Sequence, residues 1–447
     1  MDGPSDGGEH WDEVVARLDE DVVRRVLTGA AERNEDVARA VRLAAAESSE
    51  RITVLKAEVD RGLRTRRSLD YWQSSEWAVE ASPIVDALGD AVVSEPTREL
   101  VALLERAVGH VVKVIRRADD SNGMIGDLAG RLLRFHEQVC AAGVADPKAL
   151  AKWMIRFSFD DQDFFNPDPV MYAPALGEDG MAIFRSEVTK RVAGSSSFAA
   201  RYALERLAVL DGDVDGIVLL LGGDLSSPHQ FTQVAEAMQE IGRTEDAIAW
   251  ARRGIDTTTG WQVAKLFDLS AQLVGEQGDA LGVLAVRREH HERMASSSTY
   301  AALKAAADAI GCWQDEVADA RSVLAARDRG GLVDALLADG DSQLAWDAAA
   351  AKPDWDAGEQ RWQRLAETRE AADPAVAFGV YVRLADTALL TTGRGQYQLA
   401  ARRLKAARRA AEAAGLGIEF EAHLLALREQ HRRRPTLITI LDKAGLP

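Results

Sequence analysis

Residues 231–255, FTQVAEAMQEIGRTEDAIAWARRGI, decide the fold class. Val234, Met238 and Ile241 recur at helical spacing, and after Gly242-Arg243 so do Ala247, Ile248, Ala251 and Ile255. Two apolar stripes of period 3.6 separated by a glycine predict two helices joined by a tight turn. Small residues at 247, 251 and 254 (Ala, Ala, Gly) stand where a tetratricopeptide repeat needs close helix contact. Gly278, Gly311 and Gly340 follow at spacings of 36, 33 and 29 residues, and Asp373-Pro374 comes 33 later. A beat of about 34 residues is that of helix–turn–helix repeats. One such pair cannot bury its own apolar face, so neighbours must stack. The expected fold is all-α, a tetratricopeptide-like solenoid of stacked antiparallel helix pairs.

The rest of the 447 residues agrees with this reading. Hydrophobic residues make up 47% of the chain, enough for packed cores. Ala is abundant, which favours helices and lets them approach closely. Most of the 12 Pro sit at segment edges, as in Asp146-Pro147 and Asp373-Pro374, where helices begin. Residues 1–10 read as a disordered tail, 11–190 as an N-terminal helical domain, 191–390 as degenerate helix-pair repeats and 391–447 as a basic helical cap. Trp11 to Ala46 reads as two helices, with Val14, Val15, Leu18, Val22 and Val26 on one stripe. Ser68 to Trp77 reads as a polar turn before a long helix starting near Ser75. Asn122-Gly123 suits a left-handed cap closing the helix over 97–117.

Four segments resemble a known family. They are Tyr71…Trp77 with Ile84-Val85-Asp86-Ala87-Leu88; Asp119-Asp120-Ser121-Asn122-Gly123 with Phe135-His136…Cys140 and Asp146-Pro147…Leu150-Ala151; Gly393-Arg394-Gly395-Gln396-Tyr397…Ala400; and Phe420…Leu424…Leu427-Arg428…His431 through Pro435…Leu441. In order and spacing, the chain resembles the long helical region that follows SWIM-type zinc fingers in many actinobacterial proteins, a domain of unknown function. The resemblance covers most of residues 15–447. It implies a tetratricopeptide-like scaffold and no catalytic residues. The finger itself needs Cys-x-Cys and Cys-x-His, which a chain with only Cys140 and Cys312 cannot supply.

Charge narrows the function classes. The formal net charge is −17, which repels phosphate and argues against wholesale nucleic-acid binding. Residues 391–447 run the other way, with 11 Lys/Arg against 5 Asp/Glu, so the preceding 390 residues carry −23. Two distant cysteines fit a reducing cytoplasm, and the acidic N-terminus lacks the apolar core of a signal peptide. The most apolar run, Ile217 to Leu221, is too short to span a bilayer, so no membrane partner is expected.

Several groups invite a chemical reading. With Gly123 at the sixth position of a calcium loop, positions one and twelve would be Ala118 and Ala129, where carboxylates are needed, so the stretch reads as a turn. Asp160-Asp161-Gln162-Asp163 through Asp168 could offer oxygens to a hard cation, but it meets no spacing rule and reads as an interhelical loop. His290 and His291 diverge by about 100° on a helix and cannot share a metal; a surface position is expected. His423 and His431 lie two turns apart and read as core-edge residues. Neither a metal nor a cofactor is expected, nor an enzyme.

The basic end is the candidate site. Leu404, Ala407 and Ala411 form the inward stripe of one helix, leaving Arg402, Lys405 and Arg409 outward, and Arg432-Arg433-Arg434 follow the next helix. Arg402, Lys405, Arg409, Arg432, Arg433 and Arg434 are the expected contacts for an anionic partner. The function read from this is a non-enzymatic scaffold with protein partners. The alternative is a nucleic-acid-associated regulator acting through the basic C-terminal helices. The turn reading makes its own prediction: Gly242→Val costs about 1 kcal/mol or more, while His291→Ala stays within about 0.5 kcal/mol, compared in denaturant melts.

Overall fold

A helix ends when its last carbonyls find partners outside the helical ladder, and at seven of the described helices a glycine provides the exit. Gly242 has φ 77°, its N–H donates to Gln239 O at 2.9 Å, and the Arg243 N–H donates to Met238 O at 2.8 Å. That pair of bonds is the Schellman closure. The same two bonds recur at Gly212, Gly278, Gly311, Gly340, Gly415 and Gly445, each with positive φ. The four glycines expected from the sequence are all among them.

The computed structural model describes residues 15–45, 48–193, 197–351 and 355–447. Among them it contains 23 α-helices and no strand; one isolated bridge joins Leu69 to Ala118. The expected tail at 1–10, along with Val14, lies outside the described residues. The chain divides into two compact units, Met1–Gly223 and Asp224–Pro447. The expected division at 190/191 therefore falls inside the first unit. The one at 390/391 falls inside a core shared by Ala366, Leu384, Leu404 and Leu441.

The first unit contains α1 (Glu20–Arg33), α2 (Glu35–Ala45), α3 (Ser48–Gly62), α4 (Tyr71–Ser94), α5 (Arg98–Ile115), α6 (Met124–Val139), α7 (Pro147–Arg156), α8 (Pro169–Val192), α9 (Phe198–Asp211) and the short α10 (Val214–Ile217). Single π-helical turns follow α6, α7 and α10. Leu55, Ile84, Leu104, Leu132, Met154 and Leu176, from α3 to α8, share one buried core. Three local expectations need correction. The expected N-terminal stripe is largely uncovered by described residues: Val15 and Leu18, which precede α1, and Val26 on it are exposed. Helix α4 begins before Ser75, because Asp70 accepts from the Trp72 and Gln73 N–H groups while the Gln73 side chain accepts from Asp70 N–H. This reciprocal cap turns the expected loop into the helix's first turn. Gly123 is left-handed as expected, but it precedes α6 instead of closing α5.

The second unit is a run of helix pairs: α11 (Pro228–Glu240) with α12 (Thr244–Thr257), α13 (Val263–Glu276) with α14 (Ala280–Arg293), α15 (Ser297–Ala309) with α16 (Trp313–Arg327), α17 (Arg329–Ala338) with α18 (Ser342–Ala350), α19 (Glu359–Arg369) with α20 (Pro374–Leu389), α21 (Arg394–Ala414) with α22 (Gly417–Gln430), and a last helix α23 (Pro435–Lys443). Consecutive helices from α11 to α22 pack on each other, and α11 also reaches α13, α15 reaches α17, and α21 reaches α23. Contacts to the next helix and to the one after are those of a stacked repeat array. Close approach depends on small residues. Ala247 and Ala251 are fully buried, and a Cβ added at Gly254 would meet Phe231 Cβ at 2.6 Å and Leu266 Cδ1 at 2.7 Å.

The histidine pair overturns its expected surface position. His290 is 5% and His291 1% exposed. The His290 ring stacks on Phe267 with centroids 4.6 Å apart, and burial pushes its pKa down. His291 Nε2 lies 3.0 Å from Ala320 O, so it carries the proton and donates; Nδ1, 2.9 Å from Thr299 Oγ1, accepts. One imidazole thus ties α14 to both α15 and α16. The misreading arose from charged neighbours: Arg288, Glu289, Glu292 and Arg293 surround the pair in sequence but lie on other sides of the helix. Truncating His291 would remove two buried hydrogen bonds and leave a void, so His291→Ala is expected to cost about 2 kcal/mol or more. In a denaturant melt it should match or exceed Gly242→Val.

Candidate functional site

Position along two helices assembles the basic groove. On α21, residues 394, 398, 402 and 405 fall on one face at helical spacing, and on α23 residues 436, 439 and 443 do the same. Pro435 opens α23 with its ring nitrogen at a position that needs no donor, and the Gly415 and Gly445 turns close α21 and α23. Between the two faces lies a groove of about 710 Å³. Its floor includes Ala401, Ile440 and Ala444, whose other sides meet the core of Leu404 and Leu441. Arg394, Arg402, Lys405 and Lys443 line it as well. Among the described residues these four cations form no ion pair and no side-chain hydrogen bond.

The six expected contact residues therefore divide. Arg402 and Lys405 stand on the groove with free head groups, joined by Arg394 and Lys443. Arg433 is exposed and unpaired but does not line the groove. Arg409 is engaged elsewhere: its Nε and one Nη contact the Glu370 carboxylate at 2.5 and 2.8 Å. Glu370 also accepts from the Tyr381 hydroxyl at 2.9 Å, and Arg409 above all holds its pKa below the ordinary carboxylate value. Arg432 pairs with Glu429 at 2.6 Å, and Arg434 donates to Leu389 O at 2.8 Å, tying the turn before α23 to the end of α20. Of three consecutive arginines, two are thus engaged by the chain itself and Arg433 is not.

Arg403 was missed by the sequence reading. It is 7% exposed, donating to Leu384 O at 2.7 Å and pairing with Glu359 at 2.8 Å. Its place in line with Ala400 and Ala407 was the available signal.

The other candidates are structural. In the acidic loop, both Asp160 oxygens contact Arg191, one at 2.9 Å, and Asp161 lies 3.3 Å from Arg156. Asp168 caps α8 and pairs with Arg206. The Gln162 amide knits the loop's backbone at Phe157, Phe164 and Phe165. Asp120 accepts from the N–H groups of Ile125 and Gly126, as a turn requires. No group of three or more His, Cys, Asp or Glu among the described residues is placed to hold a metal. His423 and His431 are half-buried, at the core edge as expected.

No family model matches the chain, and no curated protein matches it. Among solved structures, it is similar to a circular tandem repeat protein with novel repeat topology and enhanced subunit contact surfaces, at 15% identity, over 94% of this chain and 96% of that one, with a TM-score of 0.20. A likeness at that score carries no argument, and the helical-repeat assignment rests on the elements themselves. Among the described residues no helix is long and apolar enough to cross a membrane.

The division of the arginines can be read in stability. Arg409→Ser removes the partner of a largely buried carboxylate and is expected to lower stability by about 0.5–1 kcal/mol, a small figure because Arg409 itself is 65% exposed. Arg402→Ser and Lys405→Ser should stay within about 0.5 kcal/mol in the same thermal melts.

Proposed function

We propose that this chain is a non-enzymatic helical-repeat scaffold for protein partners, and that the groove between α21 and α23 takes an acidic segment of such a partner. The observation that carries this reading is the set of four unpaired cations around one groove in a chain of net charge −17. Elsewhere most arginines meet carboxylates or carbonyls of the chain itself, so cations left free at one place are available to another molecule. The floor of Ala401, Ile440 and Ala444 supports a peptide, whose apolar side chains it can cover, over a phosphate backbone. The −23 carried by residues 1–390 also disfavours a nucleic acid, whose many phosphates would face that field. The resemblance to the helical region of SWIM proteins fits a scaffold without the finger. Asp160, Asp161 and Asp168, engaged by arginines, offer a catalytic reading little support.

Fluorescence anisotropy tests the proposal. A labelled peptide of alternating acidic and leucine residues and a single-stranded oligonucleotide of equal net charge are titrated with the full chain. The peptide is expected to bind more tightly, to weaken with added salt, and to weaken about tenfold or more in Arg402→Glu/Lys405→Glu. Tighter oligonucleotide binding, lost in the same variant, would replace this reading with the nucleic-acid one.

A further inference from the structure

A second group of free cations lies in the first unit, and a different construction holds it. Helix α3 ends at Gly62, and the next residue, Leu63, is fully buried. Six residues on, Leu69 N–H donates to Arg117 O and Leu69 O accepts from Asp119 N–H, both at 2.9 Å. The intervening chain is thus pinned at both ends across the C-terminus of α5. Within this arch the Arg67 N–H donates to Thr65 Oγ1 at 3.1 Å. Under it is a pocket of about 480 Å³. Arg64 and Arg66 reach it from the arch, Lys113 from the last turn of α5 and Arg117 from the turn that follows it.

These four cations form no ion pair and no side-chain hydrogen bond among the described residues. The acid at the pocket, Asp60, is already neutralised: Arg106 meets its two oxygens at 2.6 and 2.9 Å, and His110 Nε2 lies 3.0 Å from it. Asp60 is accordingly held at a pKa of about 2, chiefly by Arg106. Arg61 is likewise spent on Glu58 and Glu35. Basic residues near a helix C-terminus offset its dipole, which accounts for Lys113 and Arg117. It applies equally to Arg64, two residues past the end of α3, but not to Arg66, and both are brought to the same place by the Leu69–Ala118 bridge. Four like charges around one concavity repel one another until an anion enters.

We propose that this pocket binds a small ligand bearing two or more adjacent phosphoryl groups. Its size suits a small molecule. Guanidinium forks match phosphate oxygens, and about four positive charges match the charge of a di- or triphosphate. The lining has no aliphatic side chain, Phe, Tyr or Trp to anchor a peptide, and its one imidazole, His110, is held on Asp60, which separates it from the groove of the second unit.

The test uses the full chain and inorganic pyrophosphate, titrated by calorimetry at low ionic strength. Binding is expected to be tighter than that of sulfate and to weaken at least tenfold in Arg64→Ser/Lys113→Ser. It should be unchanged in Arg402→Ser/Lys405→Ser, so failure here and failure of the groove proposal are read separately. His110 provides a second readout. Burial, aided by the charges of Arg106 and Arg64, holds its pKa below 6.5, and an anion in the pocket should raise it in an NMR titration. A nucleoside triphosphate compared with tripolyphosphate separates the sources: tighter nucleotide binding assigns the ligand to nucleotides, equal binding to inorganic polyphosphate. Absence of pyrophosphate binding at millimolar concentration, affinity no better than sulfate, or equal loss in the Arg402/Lys405 variant would overturn the proposal.

Discussion

The left-handed glycine turn is the constraint on which the second unit depends. Each Schellman closure satisfies the carbonyls of an ending helix and reverses the chain within two residues. At Gly242, Gly278, Gly311, Gly340 and Gly415 the next helix starts at once and returns antiparallel to the last. Short turns force close approach, and close approach forces small residues at the contact, as at Ala247, Ala251 and Gly254 beneath Phe231. The groove between α21 and α23 inherits its geometry from the same device. The Gly445 turn sends Leu446 into the core, where it is fully buried. Arg408 and Arg428 then hold the carbonyls of Gly445 and Leu446 at 2.6 and 2.8 Å.

Those two contacts belong to a wider pattern that explains where much of the positive charge goes. Arg293 donates to Ile255 O, Arg327 to Glu292 O, Arg329 to Ala348 O and Arg434 to Leu389 O. In each case a guanidinium from another segment of the chain reaches the last turn of a helix. The carbonyls there lack intrahelical partners and sit at the negative end of the dipole. A planar fork can serve a carbonyl and a carboxylate together, as Arg403 and Arg428 do. Exposed ion pairs contribute little one by one, about 0–1 kcal/mol each. Their consequence for function is subtraction: once the structural arginines are set aside, two places each gather four free cations around one concavity, the α21/α23 groove and the pocket under the 64–68 arch.

Helices, turns and inward stripes were legible in the sequence because they follow from local rules. Positive φ at Gly242, the buried stripe Leu404–Ala407–Ala411 and the stripe Phe420–Leu424–Leu427 need only a period of 3.6 and the missing Cβ of glycine. Tertiary structure alone decided which charged side chains stay free. Arg402 and Arg409 are seven residues apart on one helix, yet one is unpaired and the other locked on Glu370, 39 residues away in sequence. His291 reads as a surface residue among its charged neighbours, but Ala320 and Thr299 arrive from two other helices to bury it. Arg64, Arg66, Lys113 and Arg117 share a pocket because a single bridge at Leu69 folds one segment over another. The composition and local periodicity of this chain determine that it is a stack of helices. The pairing of its charges is settled by contacts many residues distant in sequence, because an ion pair depends on where two side-chain ends meet in space and leaves no period along the chain to read.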